Sequence, residues 1–456
     1  MPILPADRPK YLALADAIEA DLASGLLAPG QRLPTHRDLA DALGVTVGTV
    51  TRGYAEAARR GSVRGEVGRG TSVVSAQSAA NAWWGGGGQA QPKIDLGLVT
   101  GMYGLDPDLG AALRQLAARP HSHELLRYQP SRGMVRHREA GSLWCARFGV
   151  QAPPERILVT AGGQHALLVL LSVLFRPGDR VAVGNLNYPG LIAAASLLGL
   201  KLAPVALDAE GVVPEALEEV CAREGVRGLY VMPGSHNPTT ASPGAARQQR
   251  LAELARSRNL QVIEDAAYAL TAEQPLTTLA SLAPERTFFI GSVSKLVAGG
   301  LRVAFVASPQ EQVERLELGI TGTTWMASPL CAEIAAAWIL DGTADAVMGR
   351  KLVEAARRGE VAARVLAGRD YVGHKTGYFI WLKLPEPWRA ADFERSAALR
   401  GVVVIGGDAF AVGQTPAPAA VRVSLSAAGN RQELERGLGV LAELLDEAPR
   451  PGRAIV

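Results

Sequence analysis

The sequence predicts an α/β protein in two parts. A small winged helix-turn-helix domain comes first; a larger domain follows, with a mostly parallel sheet covered by helices on both faces and a smaller C-terminal α+β subdomain. Three observations predict this. Residues 75–93, "SAQSAANAWWGGGGQAQPK", include four consecutive glycines that neither helix nor strand holds cheaply, so the stretch reads as a flexible linker. Ahead of it, short helical patterns run into a glycine-turned alternating segment. Behind it, apolar runs of strand length alternate with helical stretches, as parallel strands joined by crossover helices do. The expected domains are 1–74, the linker 75–93, a large domain 94–344 and a small subdomain 345–456.

In the front domain, "YLALADAIEADLASG" has apolar residues at helical spacing and stops at a glycine. "THRDLADALG" opens on Thr35 as N-cap and closes at Gly44, and "VTVGTVTRGYAEAARRG" is a further helix capped by Thr46. "SVRGEVGRGTSVV" alternates around glycines and reads as a hairpin, the wing. In such a module the second helix of the pair enters the major groove. Five arginines (52, 59, 60, 64 and 69) stand against Glu56 and Glu66 between Thr49 and Val74, a charge balance suited to phosphates. The competing reading is a small interaction domain with a solvated basic face. Trp83 and Trp84, inside the linker, could dock it on a domain surface.

Bulk properties exclude other classes. A net charge of +3 on 456 residues does not by itself announce a nucleic-acid binder, so that reading rests on the front domain. Cys145, Cys221 and Cys331 are odd in number and far apart, which offers neither a disulfide framework nor metal spacing and fits a reducing cytoplasm. The N-terminus lacks the pattern of a signal peptide. The longest apolar run, "HALLVLLSVLF", is too short to span a bilayer and reads as a buried helix, so neither export nor a membrane is expected.

Behind the linker, "RILVTA", "RVAVGN", "GLYVMPG", "LQVIEDAA" and "TFFIGS" are the strands, each ending in small or polar residues. Ligands of open α/β sheets sit at those carboxyl ends. "GSVSKLVAGGLR" sets Lys295 among small and apolar residues, with Arg302 seven positions on. A buried ammonium without a partner tends to lose its charge, and a neutral lysine amine can form a Schiff base with an aldehyde. A surface lysine whose stem snorkels to water is the bland alternative. "EDAAY" ends a strand at Asp265 with Tyr268 beyond; a buried aspartate can keep a pyridine nitrogen protonated, or merely cap a helix. "TAGGQHAL" forms a glycine-turned strand-to-helix junction whose N–H groups can cradle an anion. Tyr188 in "NYPG" can stack on a ring, and the Asn237 amide in "SHNPTT" can donate to a phenolic oxygen. Ser292 and Arg302 suit a phosphate. Arg422 is a lone charge in the β-branched run "VRVSLS", where a substrate carboxylate explains it better than solvent does.

From Ser24 to Val73 the front domain resembles the GntR-type winged helix-turn-helix, through the P-G-x-x-L-P-x-x-R-x-L-A block (Pro29 to Ala40) and the closing G-R-G-T. The resemblance implies DNA contacts at Arg32, Arg37, Thr49, Arg52, Arg69 and Gly70. One departure stands at the start of the recognition helix, where Val47 and Gly48 replace a polar or basic pair, which weakens direct readout of base edges. Residues 95–445 resemble class I (fold-type I) aminotransferases. The resemblance implies pyridoxal 5'-phosphate on Lys295, with Asp265 at its pyridinium and Tyr268 and Asn237 at its phenolate oxygen. Tyr188 takes the stacking place; Gly163, Gln164, Ser292 and Arg302 take the phosphate places; Arg422 grips an α-carboxylate. Tyr128, in "RYQPSRG", matches a residue that reaches the neighbouring subunit's phosphate, which implies a homodimer. Thr240 replaces a usual glycine, and Leu186 a common proline.

The combination resembles MocR-type (GabR-like) transcription regulators over essentially the whole chain. That implies a head-to-tail homodimer that binds double-stranded promoter DNA and senses an amino acid or amine, or pyridoxal phosphate itself, by aldimine exchange. A working aminotransferase with an incidental front domain is the alternative of another class. A purely structural dimerisation module would leave Lys295 and Asp265 unexplained.

Overall fold

The computed structural model describes residues 9–23, 26–27, 31–59, 62–66, 70–73, 94–272 and 277–447. The chain divides into two compact units, Met1–Gln89 and Ala90–Val456. The expected linker, with Trp83 and Trp84, lies outside the described residues, as does Arg69.

In the first unit, helix α1 (Lys10–Ala23) packs on α3 (Val47–Arg59), with α2 (His36–Leu43) between them in sequence. The capping residues act as the sequence leads one to expect. Thr35 Oγ1 accepts from the Asp38 N–H, and Gly44 closes α2 at φ 63°, where its N–H returns to Ala40 and Asp41 carbonyls. Thr46 Oγ1 accepts from the Thr49 N–H at 3.2 Å and starts α3. A Cβ on Gly53 would stand 2.7 Å from Leu14 Cδ2, so glycine sets how closely α1 and α3 approach. Strands β1 (Val63–Glu66) and β2 (Gly70–Val73) pair antiparallel, and residues 31–33 bond to β2 through Leu33 N to Thr71 O and Val73 N to Gln31 O. Leu14, Ile18, Val50, Tyr54, Val63 and Val73 form the core of this module.

The second unit opens with β3 (Ile94–Asp95). Its strands continue as β4 (Ile157–Thr160), β5 (Arg180–Gly184), β6 (Lys201–Val205), β7 (Leu207–Asp208), β8 (Gly211–Val212), β9 (Gly228–Val231), β10 (Gln261–Asp265), β11 (Thr287–Ser292) and β12 (Ala304–Ala307). Apart from β3 and the small β7–β8 hairpin, these make one seven-stranded sheet in the order β4-β12-β11-β10-β9-β5-β6. All neighbours run parallel except β12, which is antiparallel to both of its own. Alternate residues serve opposite faces. Val181, Val183, Tyr230 and Ile263 join one apolar cluster with helix Gly163–Leu174, while Ala182, Leu229, Val231 and Val262 join another with helices Pro214–Glu224 and Ala245–Ser257. The sheet is thus covered on both sides, and the run 165–175 is mostly buried helix.

The strands near the C-terminus are β13 (Tyr371–Val372), β14 (Phe379–Lys383), β15 (Val402–Val403), β16 (Ile405–Gly406) and β17 (Ala420–Ser424), and all but β15 form a second sheet. Its order is β13-β14-β17-β16, all antiparallel, while β15 pairs with β3. Residues 94–96 therefore pack with this C-terminal core, where Leu96 lies among Ile380, Val423 and Leu438. The long helix Thr343–Val365 leads into the same core through Val361 and Ala362.

Candidate functional site

The carboxyl ends of the parallel strands carry the site. Asp265 ends β10, Ser292 ends β11, Gly162 and Gly163 follow β4, Tyr188 follows β5 and Asn237 follows β9. Lys295 lies in the turn after β11, where Val297 and Ala298 N–H groups bond back to the Val293 carbonyl. It is partly buried, and its Nζ donates to the Val99 carbonyl at 2.6 Å. Burial, reinforced by Arg422 and Arg302, lowers its pKa to about 8 against the opposing pull of Asp265. The amine is therefore far closer to neutrality at physiological pH than an ordinary lysine.

Asp265 is buried and accepts the Tyr230 hydroxyl at 3.0 Å and the Ala267 N–H at 3.2 Å. Burial nevertheless raises its carboxyl to about 6, with the Tyr230 bond the strongest counterweight. Burial also raises the Tyr268 hydroxyl to about 12, and that ring lies 5.7 Å from Lys295 Nζ and edge-on to Phe379. Tyr188 rests on Gly190, where a Cβ would stand 2.4 Å from its ring, and burial pushes its hydroxyl well above the usual range.

Gly162 (φ 86°) opens helix Gly163–Leu174, whose first N–H groups have no intrahelical partner. A Cβ there would lie 2.5 Å from Arg302 Nη2, so the bare backbone lets the guanidinium come over the helix start. Ser294 Oγ links Ser292 Oγ, at 3.1 Å, to Arg302 Nη1, at 3.4 Å. Gln164 Nε2 donates to the Gly190 carbonyl, while its buried Oε1 has no partner among the described residues.

Arg422, in β17, is 5% exposed, with its guanidinium carbon 5.8 Å from the ring centre of Phe379 and 5.0 Å from that of Phe410. It donates to Asn237 Oδ1 at 2.8 Å and to the Gly97 carbonyl at 2.7 Å, and its Nε has no partner among the described residues. No carboxylate pairs with it among the described residues, and burial lowers its pKa. Because Asn237 spends its carbonyl oxygen on Arg422, its NH₂ is the end left to donate elsewhere.

Lys295, Asp265, Tyr268, Tyr188, Asn237, Gly163, Gln164, Ser292, Arg302 and Arg422 thus converge through these contacts and mutual electrostatic effects. Tyr128 stands apart: it is 81% exposed, its ring 5.9 Å from that of Trp325. Thr240 takes φ 60°, a backbone glycine adopts freely; the His236 carbonyl and His374 hold it there. Leu186 is bridged to Ala411. Sequence reasoning missed Tyr230, Ser294, Phe379 and Phe410. Only Tyr230 left a signal: a phenol in the run "GLYVMPG" must find a partner once buried.

In the first unit, Arg32, Arg37 and Arg52 are exposed, Thr49 is half-buried with its hydroxyl 2.9 Å from Thr46 Oγ1, and Gly70 begins β2 opposite Glu66.

Residues 94–441 match the family "Aminotransferase class I and II", and residues 10–73 match "Bacterial regulatory proteins, gntR family". The chain is 34% identical to the uncharacterized HTH-type transcriptional regulator YdeF of Bacillus subtilis (strain 168), over 97% of this chain and 96% of that protein. It is 28% identical to the vitamin B6 salvage pathway transcriptional repressor PtsJ of Salmonella typhimurium, over 87% of this chain and 90% of that one. Among solved structures it is similar to LysN, the alpha-aminoadipate aminotransferase of Thermus thermophilus, complexed with N-(5'-phosphopyridoxyl)-L-leucine. The TM-score is 0.70 and the identity 27%, over 78% of this chain and 92% of that one. With a GntR-type reader and an aminotransferase-type domain in one polypeptide, the chain belongs to the MocR-type family of transcription regulators.

Proposed function

We propose that the aminotransferase-type domain holds pyridoxal 5'-phosphate on Lys295 and senses an amino compound, and that the GntR-type domain carries the response to promoter DNA. The residues present fit the cofactor. A desolvated amine, a buried carboxylate with its own hydroxyl donor, and a Cβ-free helix start beneath an arginine match its aldehyde, pyridine nitrogen and phosphate in turn. Bound there, the cofactor would withdraw electrons from an amine joined to its aldehyde carbon. Asp265 would hold the ring nitrogen's proton, Tyr188 would cover one ring face, and Asn237 and Tyr268 would donate to the ring oxygen. Gly163, Gln164, Ser292 and Arg302 would bind the phosphate, and Arg422 would take the effector's carboxylate. The observation that carries the reading is Lys295, an amine brought to about 8 whose one hydrogen bond among the described residues goes to a backbone carbonyl.

The dimer reading rests on Tyr128, exposed beside Trp325, in the place where the family reaches the neighbouring subunit's phosphate. A head-to-tail homodimer in the cytoplasm, with domains at 1–74, 94–344 and 345–456, completes it. Arg32, Arg37, Thr49, Arg52, Arg69 and Gly70 are the proposed DNA contacts. PtsJ, named for vitamin B6 salvage, makes a B6 vitamer a second candidate signal beside an amino acid or amine.

The test is an absorbance titration of the cofactor-loaded protein with a panel of amino acids, paired with binding to its promoter region. A yellow protein that loses its lysine-linked band in Lys295→Ala, and whose DNA affinity shifts with the amine, is the expected result. A Lys295→Ala variant that keeps the band overturns the assignment. Sustained turnover with a keto acid and no DNA binding would establish the transaminase instead.

A further inference from the structure

Two cations of the site, Arg422 and Lys295, lean on one backbone segment. The Gly97 carbonyl accepts from Arg422 Nη2 at 2.7 Å, and the Val99 carbonyl accepts from Lys295 Nζ at 2.6 Å. The segment then passes Gly101, where a Cβ would stand 3.1 Å from the Ser294 carbonyl and 3.2 Å from that of Lys295, so it lies flat on the lysine's turn. It ends at Asp106, whose carboxylate meets Lys351 Nζ at 2.6 Å.

Lys351 is a second buried lysine, with a side chain 0% exposed, on helix Thr343–Val365. It also donates to the Val297 carbonyl at 2.7 Å, two residues beyond Lys295. Seven residues on, about 10 Å along the same face of the helix, Arg358 donates to the carbonyls of Leu425 and Ala428, just past the strand that carries Arg422. One helix therefore grips the chain beside Lys295 at one point and the chain beside Arg422 at another. A methionine would fill the position of Lys351 without desolvating an ion, so stability alone is a poor reason for a lysine there.

We infer that Lys351, through Asp106 and the Val297 carbonyl, is a positioning residue for the effector. It fixes segment Gly97–Asp106 across Lys295 and Arg422 and so sets the spacing between the amine-accepting and carboxylate-gripping ends of the site. The inference rests on the roles proposed above for those two residues. It predicts a specific loss: ligands that must reach both ends suffer, and ligands that use only the amine end do not.

The experiment uses the full-length chain loaded with pyridoxal phosphate, as wild type, Lys351→Met and the more conservative Asp106→Asn. Common α-amino acids are titrated by absorbance, and each responder is compared with the corresponding amine that lacks the carboxylate. Both variants are expected to stay yellow, to need at least about ten times more amino acid, and to respond to the amine within about twofold of wild type. Wild-type amino-acid midpoints in both variants overturn the inference. Equal weakening for amino acid and amine, or loss of colour with unfolding in both, also overturns it by making the pair merely structural. A wild-type protein that never turns yellow overturns the assignment of Lys295 first, and this inference with it.

Discussion

Tyr230→Phe removes one oxygen and almost no volume, yet it takes away the hydroxyl that Asp265 Oδ2 accepts at 3.0 Å. A hydrogen bond to a buried charge is worth about 1.5–3 kcal/mol, so its loss should raise the Asp265 carboxyl by about one to two pH units. Starting from about 6, the carboxyl is ionised in most molecules at pH 7; the variant would titrate near 7 to 8. If the cofactor needs the carboxylate, its affinity at pH 7 should fall by about two- to tenfold, the share of protein that must first lose a proton. The deficit should close by about pH 9, where the variant is ionised as well. The assay is a titration of cofactor-free protein with pyridoxal phosphate between pH 6 and 9, followed by the yellow band. A deficit that stays constant with pH, or none at pH 6 to 7, would refute the view that Tyr230 acts by holding Asp265 ionised.

Three other substitutions separate the parts of the site. Arg422→Met replaces a buried guanidinium that has no acid partner among the described residues, so thermal stability should hold or rise; absorbance titration should show amino-acid affinity falling by about thirtyfold or more while the yellow band remains. Gly162→Ala places a Cβ 2.5 Å from Arg302 Nη2 at a φ of 86°, and should weaken pyridoxal phosphate far more than pyridoxal, which has no phosphate to lose, when both are titrated. Arg52→Ala, at an exposed position of α3, should flatten the log-affinity against log-salt slope for promoter DNA by about one without altering the absorbance spectrum.

Local chemistry made much of this fold legible. Thr35, Gly44 and Thr46 punctuate α2 and α3 because a side-chain oxygen or a left-handed glycine is what a helix end needs, whatever surrounds it. Asp265 and Ser292 could be placed because a strand's end is written in the change from apolar to polar residues. The remainder depends on partners far away in sequence. Tyr230 and Asp265 are 35 positions apart, and Lys351 and Asp106 are 245 apart, so no local pattern announces either contact. The return of Ile94–Leu96 into the C-terminal core was equally hidden, since a two-residue strand beside β15 has no period to read. Its apolar neighbours make Lys295 a candidate; its bond to Val99, across 196 positions, has no local sign.

The two carbonyl contacts also bound how strongly such a sensor can speak. A ligand shifts an equilibrium only by the difference in its interaction with the two states. Lys295 and Arg422 each spend a hydrogen bond on segment Gly97–Val99. With Lys295 and Arg422 in the roles proposed, a cofactor joined to Lys295 would displace the ammonium from Val99, and an effector carboxylate would compete with Gly97 for the guanidinium. Each bond involves a charged donor and is worth about 1.5–3 kcal/mol; the cofactor would spend the first and the effector the second, and part returns through new contacts. What survives falls within the usual range of allosteric coupling, about 1–3 kcal/mol, or roughly five- to 150-fold in affinity at a second site. That segment begins a few residues past the proposed linker 75–93, so the bonds that the ligands would break lie next in sequence to the proposed connection with the GntR-type domain. A measured change in DNA affinity well beyond roughly 150-fold would require a second coupled element that these two bonds do not supply.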